Sequence, residues 1–248
     1  MARELPTKLT AEPIIDAVIE LRLEAGTSLV DVVPGVLKHE LGAEVQDFTR
    51  LPVADIPKQI RDQDPNLHYQ PLMRISLPGY VVLVGDRVVA LACALPYPGG
   101  EAFKAKALSL FKLVFSLGIV SGVTRYSIKY VDFIPSKNPK DVLSLVDLRM
   151  EIGGVDSSRS AFTVRLDTDD KVYKYVIQLT APVNVAVDHK PMEQGILIDI
   201  DTICEIGAES VEGFFNSLPD KLNNIHLASK TKFFGLLTDE GLKHLGAE

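Results

Sequence analysis

The chain has 248 residues, of which 46% are apolar, 24% charged and 7% aromatic, a composition that excludes disordered, collagenous and disulfide-laced classes. Lys and Arg number 26 against 33 Asp and Glu, a net charge of −7, with 14 basic and 15 acidic residues in 1–135 and 12 and 18 in 136–248. Nucleic acid and anionic membranes draw on surplus positive charge, so this balance argues against both as partners.

The length suits one large domain or two half-size ones, with no need of metals or crosslinks for stability. The opening residues lack the apolar core of a signal peptide, and no uncharged apolar stretch reaches the ~18 residues of a membrane span, so a cytoplasmic protein is expected. Cys93 and Cys204 each sit in an apolar run and are expected as buried free thiols.

In chain order, Ile14 to Glu24 alternates Ile15, Ala17, Ile19, Leu21 and Leu23 with Asp16, Val18, Glu20, Arg22 and Glu24. Period two predicts a strand with one face on a core. Ser28 is placed to cap a helix to about Leu41, stopped by Gly42 and kinked or delayed by Pro34. A second strand is expected at 44–53 and a short polar helix at 54–63. From Pro71 to Leu95, β-branched runs separated by Pro78-Gly79 and Gly85-Asp86 predict an antiparallel meander. A helix over 101–117 carries Phe103, Leu108, Phe111, Leu113, Val114 and Phe115, apolar around enough of its circumference to be sandwiched. Residues 120–134 alternate again.

Ser136 to Lys140 is the candidate boundary between an N-terminal α+β half, 1–135, and a C-terminal one, 136–248. The second half predicts a short helix near 139–145, strands near 147–153, 159–167, 171–180, 182–188 and 194–203, and helices over 210–222 and 225–237. The fold class is therefore α+β: antiparallel sheet with packed helices, in two similar halves or one long curved sheet.

Motifs for dinucleotides, P-loops, zincins, hydrolase elbows and zinc ribbons are missing from the sequence. The histidines at 39, 68, 189, 226 and 244 show no metal-binding spacing and read as surface or cap residues. Strand alternation puts Asp199 and Asp201 on one face, opposite Ile196, Ile198 and Ile200. Two carboxylates about 7 Å apart can hold a divalent cation, with Glu20 or Glu24 completing the shell, or divide acid and base roles; the alternative is the polar face of an amphipathic strand. Arg125, Ser127 and Lys129 likewise share a strand face, opposite Thr124, Tyr126, Ile128 and Tyr130. Such a basic row can receive an anionic ligand or pair across the sheet with acidic neighbours. Phe214-Phe215 and Phe233-Phe234 supply apolar area for the core or for a dimer interface.

Five segments occur in an order that is recognisable: Pro13 to Leu23, the Tyr97-Pro-Gly-Gly-Glu-Ala-Phe turn into a helix, Arg125-Tyr-Ser-Ile-Lys, Leu197-Ile-Asp-Ile-Asp, and His226 to Thr238. Together they make the chain resemble a sporadically distributed family of uncharacterised prokaryotic proteins. That pattern carries a Trp where this chain has Gly100 and an Asn-Arg pair at Ile128-Lys129. The resemblance implies a stand-alone protein of about this size and assigns it no activity.

The expected function is a non-catalytic binding or protein-interaction module, a homodimer acting on a protein partner in a sporadically inherited gene context. A metal-dependent enzyme using Asp199 and Asp201 with Glu20 is the second reading, and a small-molecule or anion binder at Arg125 and Lys129 the third. No cofactor is expected beyond the divalent cation of the second reading.

Overall fold

Alternation becomes backbone at once in the computed structural model, which describes residues 5–6, 9–136, 142–156, 161–170, 172–186, 191–207 and 209–247. Strand β1 covers Ile14–Ala25, and Ala17, Ile19, Leu21 and Leu23 are each fully buried while the residues between them are not. Helix α1 follows at Leu29–Leu41, with β2 at Asp47–Arg50 and α2 at Lys58–Gln63. The meander is β3 at Pro71–Leu77, β4 at Tyr80–Gly85 and β5 at Val88–Cys93. Helix α3 spans Gly100–Ser116, β6 spans Val120–Pro135, and α4 is Val142–Leu145. Then come β7 (Glu151–Ile152), β8 (Val155–Asp156), β9 (Phe162–Asp170), β10 (Tyr173–Val185) and β11 (Glu193–Glu205), and the chain closes with α5 at Val211–Leu236 and α6 at Asp239–His244. The fold is a mixed α+β one, with a multi-stranded antiparallel sheet and packed helices.

The chain forms two compact units that are not continuous in sequence: Met1–Asp16, Lys129–Thr202 and His226–Glu248 in one, Ala17–Ile128 and Ile203–Ile225 in the other. Strands β1, β6 and β11 and helix α5 each contribute residues to both. The expected boundary at 136–140 lies, beyond Ser136, outside the described residues.

In the unit built on Ala17–Ile128, hydrogen-bonded neighbours run β2-β3-β4-β5-β1-β6. Val18 stands opposite Ala92 and Leu21 opposite Val89. Helix α3 buries Phe103, Ala107, Leu110, Phe111 and Val114, a single stripe at helical spacing. Ala105, Ser109, Lys112 and Ser116 are exposed, so the helix is covered on one side and not sandwiched. Cys93 and Cys204 are buried free thiols. Pro34 lies inside α1 and is buried there, and Ser28 does not cap that helix with its side chain. Its hydroxyl instead donates to Asp86 Oδ1 at 2.5 Å.

Asp86, in the β4–β5 turn, also receives Arg61 Nε at 2.9 Å and Nη2 at 2.8 Å on Oδ2. Arg61 gives a further hydrogen bond to the Ile56 carbonyl. Both residues are more than nine-tenths buried, 8% and 6% exposed, so the pair ties α2 to the meander away from bulk solvent.

In the other unit the strand order is β6-β11-β10-β9, and Ile134, Ile177, Leu179, Ile196, Ile198, Ile200, Phe233, Phe234 and Leu237 form its core. Gly195 lies so close to the Ile134 carbonyl that a Cβ there would collide with it. Two expected strands at 171–180 and 182–188 are one, β10, running through Pro182. Its pairing with β9 ends at Ala181 opposite Phe162, so no ladder bond to β9 is asked of the proline. The two expected terminal helices are also one, α5, with Pro219 inside it. Thr238 caps α6, accepting from Gly241 N–H at 3.0 Å.

Removing one partner of the Arg61–Asp86 pair leaves a buried charge unpaired. Arg61→Ala is expected to destabilise by about 3–5 kcal/mol in denaturant unfolding, and Arg61→Met with Asp86→Asn by clearly less.

Candidate functional site

The charges that alternation places opposite the core come together mainly with one another. In the unit holding β9 to β11, Lys129 on β6 donates to Asp199 on β11 at 2.8 Å, both side chains part-exposed. Asp199 and Asp201 lie on the face expected of them, with Ile196, Ile198 and Ile200 fully buried on the other. Arg165 on β9 belongs to the same electrostatic neighbourhood. Its Nε lies 2.9 Å from Asp167 Oδ1, and that bond, the charge of Asp167 and smaller contributions from Asp199 and Asp201 hold the guanidinium above its ordinary pKa.

In the other unit, Arg22 Nε donates to Glu20 Oε1 at 2.9 Å, and Arg125 Nη2 stands 3.9 Å from the same oxygen. The Arg22 guanidinium lies 4.5 Å from the Tyr69 ring centroid, a cation–π contact. Arg125 also reaches Ser127 Oγ at 3.5 Å. Of the anion candidates, then, Arg125 faces Glu20 and Lys129 faces Asp199. Of the cation candidates, Asp199 bonds a lysine and Glu20 an arginine. Among the described residues, no group of three or more His, Cys, Asp or Glu side chains is arranged to hold a metal ion.

Two features escaped the sequence reading. His226, expected at a surface or cap, is half-buried on α5, its Nδ1 2.9 Å from the hydroxyl of the buried Tyr130. Asp132 is the larger surprise. It is 3% exposed and continues the row Tyr126, Ile128, Tyr130 toward Ile134, all buried. Burial pushes its carboxyl well above the usual carboxylate range, and the charges of Glu12 and Asp199 push the same way. The Glu12 carboxyl is likewise raised, mainly by desolvation, with a 3.4 Å hydrogen bond from Ile14 N–H opposing. The signal was available: extending the alternation two residues past Tyr130 places an acid on the apolar side.

These residues form two kinds of contact, ion pairs within and across strands and a phenol–imidazole bond, and beside them stands a buried acid whose carboxyl is held above the usual range. No protein-family model matches this chain, and no curated protein is similar enough to count as a match.

Asp132 makes stability fall with rising pH. Its folded pKa is raised, so no penalty exists below the ordinary value of 3.8; above it, the unfolded chain ionises first and the penalty grows until the folded carboxyl titrates too. Asp132→Asn is therefore expected to unfold at higher temperature than wild type at pH 7–8, by at least about 2–4 °C for each ~1 kcal/mol removed, with the gap shrinking to nothing near pH 4. Calorimetry across that range checks it.

Proposed function

We propose that the chain is a non-catalytic protein-interaction module of the cytoplasm, and that strand β9 is its binding element. The observation that carries this reading is the outer side of β9. Among the described residues this nine-residue strand ends the order β6-β11-β10-β9, with β10 as its one strand neighbour. A terminal strand of that length presents a row of backbone N–H and C=O groups ready to receive another extended chain. Natural sheets usually blunt such an edge by shortening it or inserting proline. At the other end of the order, β2 is four residues long. β9, at nine residues, is more than twice that length and contains no proline.

The side chains support the same reading. Leu166, midway along β9, is 54% exposed although it stands opposite the buried Ile177 on β10. An incoming strand would cover it. The basic residues Arg125 and Lys129, by contrast, already face carboxylates, which favours cross-strand pairing over an anion pocket. No helix among the described residues is long and apolar enough to cross a membrane.

Site-specific photocrosslinking in the native host tests the proposal. A photoreactive residue at Leu166 is expected to give a discrete protein adduct. The same group at Ile60, which is 52% exposed and so equally accessible, is expected to give none. Equal labelling from the two positions, or none from Leu166, overturns the reading.

A further inference from the structure

From the order of charges along β9 we infer that the strand's partner is a second copy of itself, paired antiparallel about a two-fold axis at Leu166. The inference rests on the reading of β9 as a binding element and adds the occupant and the register.

A strand that pairs with its own copy about residue 166 sets residue 165 against 167 of the partner, 164 against 168 and 163 against 169. In the sequence Phe-Thr-Val-Arg-Leu-Asp-Thr-Asp-Asp from Phe162 to Asp170, that register brings Arg165 opposite the partner strand's aspartate at 167, and the symmetry repeats the pair. Neighbouring registers lose this. Centred on 165, two arginines oppose each other; centred on 167, Arg165 faces the partner strand's aspartate at 169 but two aspartates oppose each other on the axis, so only the register centred on 166 has opposite pairs and no like pair. Opposite charges directly across a ladder are favourable and like charges unfavourable, so the pattern selects one register of the three.

The sides of the strand agree with it. Arg165 stands opposite Gln178, Asp167 opposite Val176 and Asp169 opposite Lys174 on β10, so the charged residues share the side away from the buried row. Val164, Leu166 and Thr168 stand opposite Leu179, Ile177 and Tyr175, all three buried. Pairing about Leu166 would therefore lay the two exposed leucines against each other and extend the buried side across the axis, while the charges neutralise one another on the opposite side. Arg165 and Asp167 bond within one strand and both side chains are exposed, so both are accessible to the symmetry mate.

The contact is small, one strand against one strand, and so belongs with weak and transient associations. Sedimentation equilibrium of the purified protein up to about 100 µM is expected to show a monomer–dimer equilibrium. Asp167→Arg sets arginine against arginine at two symmetric positions and is expected to raise the dimer dissociation constant by about tenfold or more. Arg165→Asp combined with Asp167→Arg restores the opposition and is expected to return it to the wild-type value. Circular dichroism checks that each variant is folded.

The register has its own readout. Leu166→Cys faces its own copy, with Cβ atoms about 4.5–5.5 Å apart, near the span a disulfide bridges, and is expected to crosslink on mild oxidation. Val164→Cys and Thr168→Cys alone are expected to stay uncrosslinked and to crosslink when mixed. Cys93 and Cys204, being buried, do not compete. A monomer at all concentrations overturns self-pairing, as does a dimer that ignores Asp167→Arg and leaves Leu166→Cys uncrosslinked. If a monomer nevertheless gives a site-specific photoadduct with a different protein at Leu166, the interaction reading stands without the self-pairing; if both fail, both fall.

Discussion

In each compact unit, stability depends on extended backbone that sends alternate side chains to opposite sides, with one side completely closed to water. Ala17, Ile19, Leu21 and Leu23 in one unit, and Ile196, Ile198 and Ile200 in the other, have no exposed surface at all. Burying a large aliphatic side chain contributes about 1.5–3 kcal/mol, and a slip of one residue would turn every one of them to solvent. Register is therefore specified strongly, and the placement of the charged residues follows from it. Glu20 and Arg22 share the outward side of β1, as Asp199 and Asp201 share that of β11, because the leucines and isoleucines between them must face in.

Given that placement, the charges neutralise one another locally. Glu20 takes Arg22 and lies near Arg125, while Asp199 takes Lys129. Partly exposed pairs of this kind contribute little to stability, roughly 0–1 kcal/mol each, so their main effect is to keep a half-buried polar side compatible with the packed one. The same residues read in sequence as ligands for an anion or a cation, because a basic row and an acidic row look alike whether or not they meet.

Two departures from this order are informative because they resolve differently. Arg61 and Asp86 are both buried, yet each finds the other, with Ser28 and the Ile56 carbonyl completing the set. Asp132 is equally buried and has Glu12 and Asp199 for electrostatic neighbours, so its carboxyl is pushed well above the usual carboxylate range. A protonated carboxyl among apolar groups costs far less than a carboxylate there, and a raised pKa is the consequence. On β9 the charges have a third outcome: Arg165 and Asp167 lie exposed on an outer strand and bond to each other within it.

Much of the local structure was legible in advance. Period-two runs located β1, the meander, β6 and β11, since a strand with one buried side writes its alternation directly into the sequence. Continuous elements across prolines were not: β10 passes through Pro182 because its ladder with β9 has already ended, and α5 passes through Pro219, both set by context beyond the local residues. Site residues were legible as to side and illegible as to partner. Period two is enough to put Arg125 and Lys129 on one face, and Asp199 and Asp201 on one face, because backbone geometry imposes that on any strand. That Lys129 meets Asp199, that Asp132 is buried within reach of the charges of Glu12 and Asp199, and that β9 lies outermost among the described strands of its order follow from the folded chain alone, because strand order depends on contacts between residues far apart in the chain, which no local period encodes.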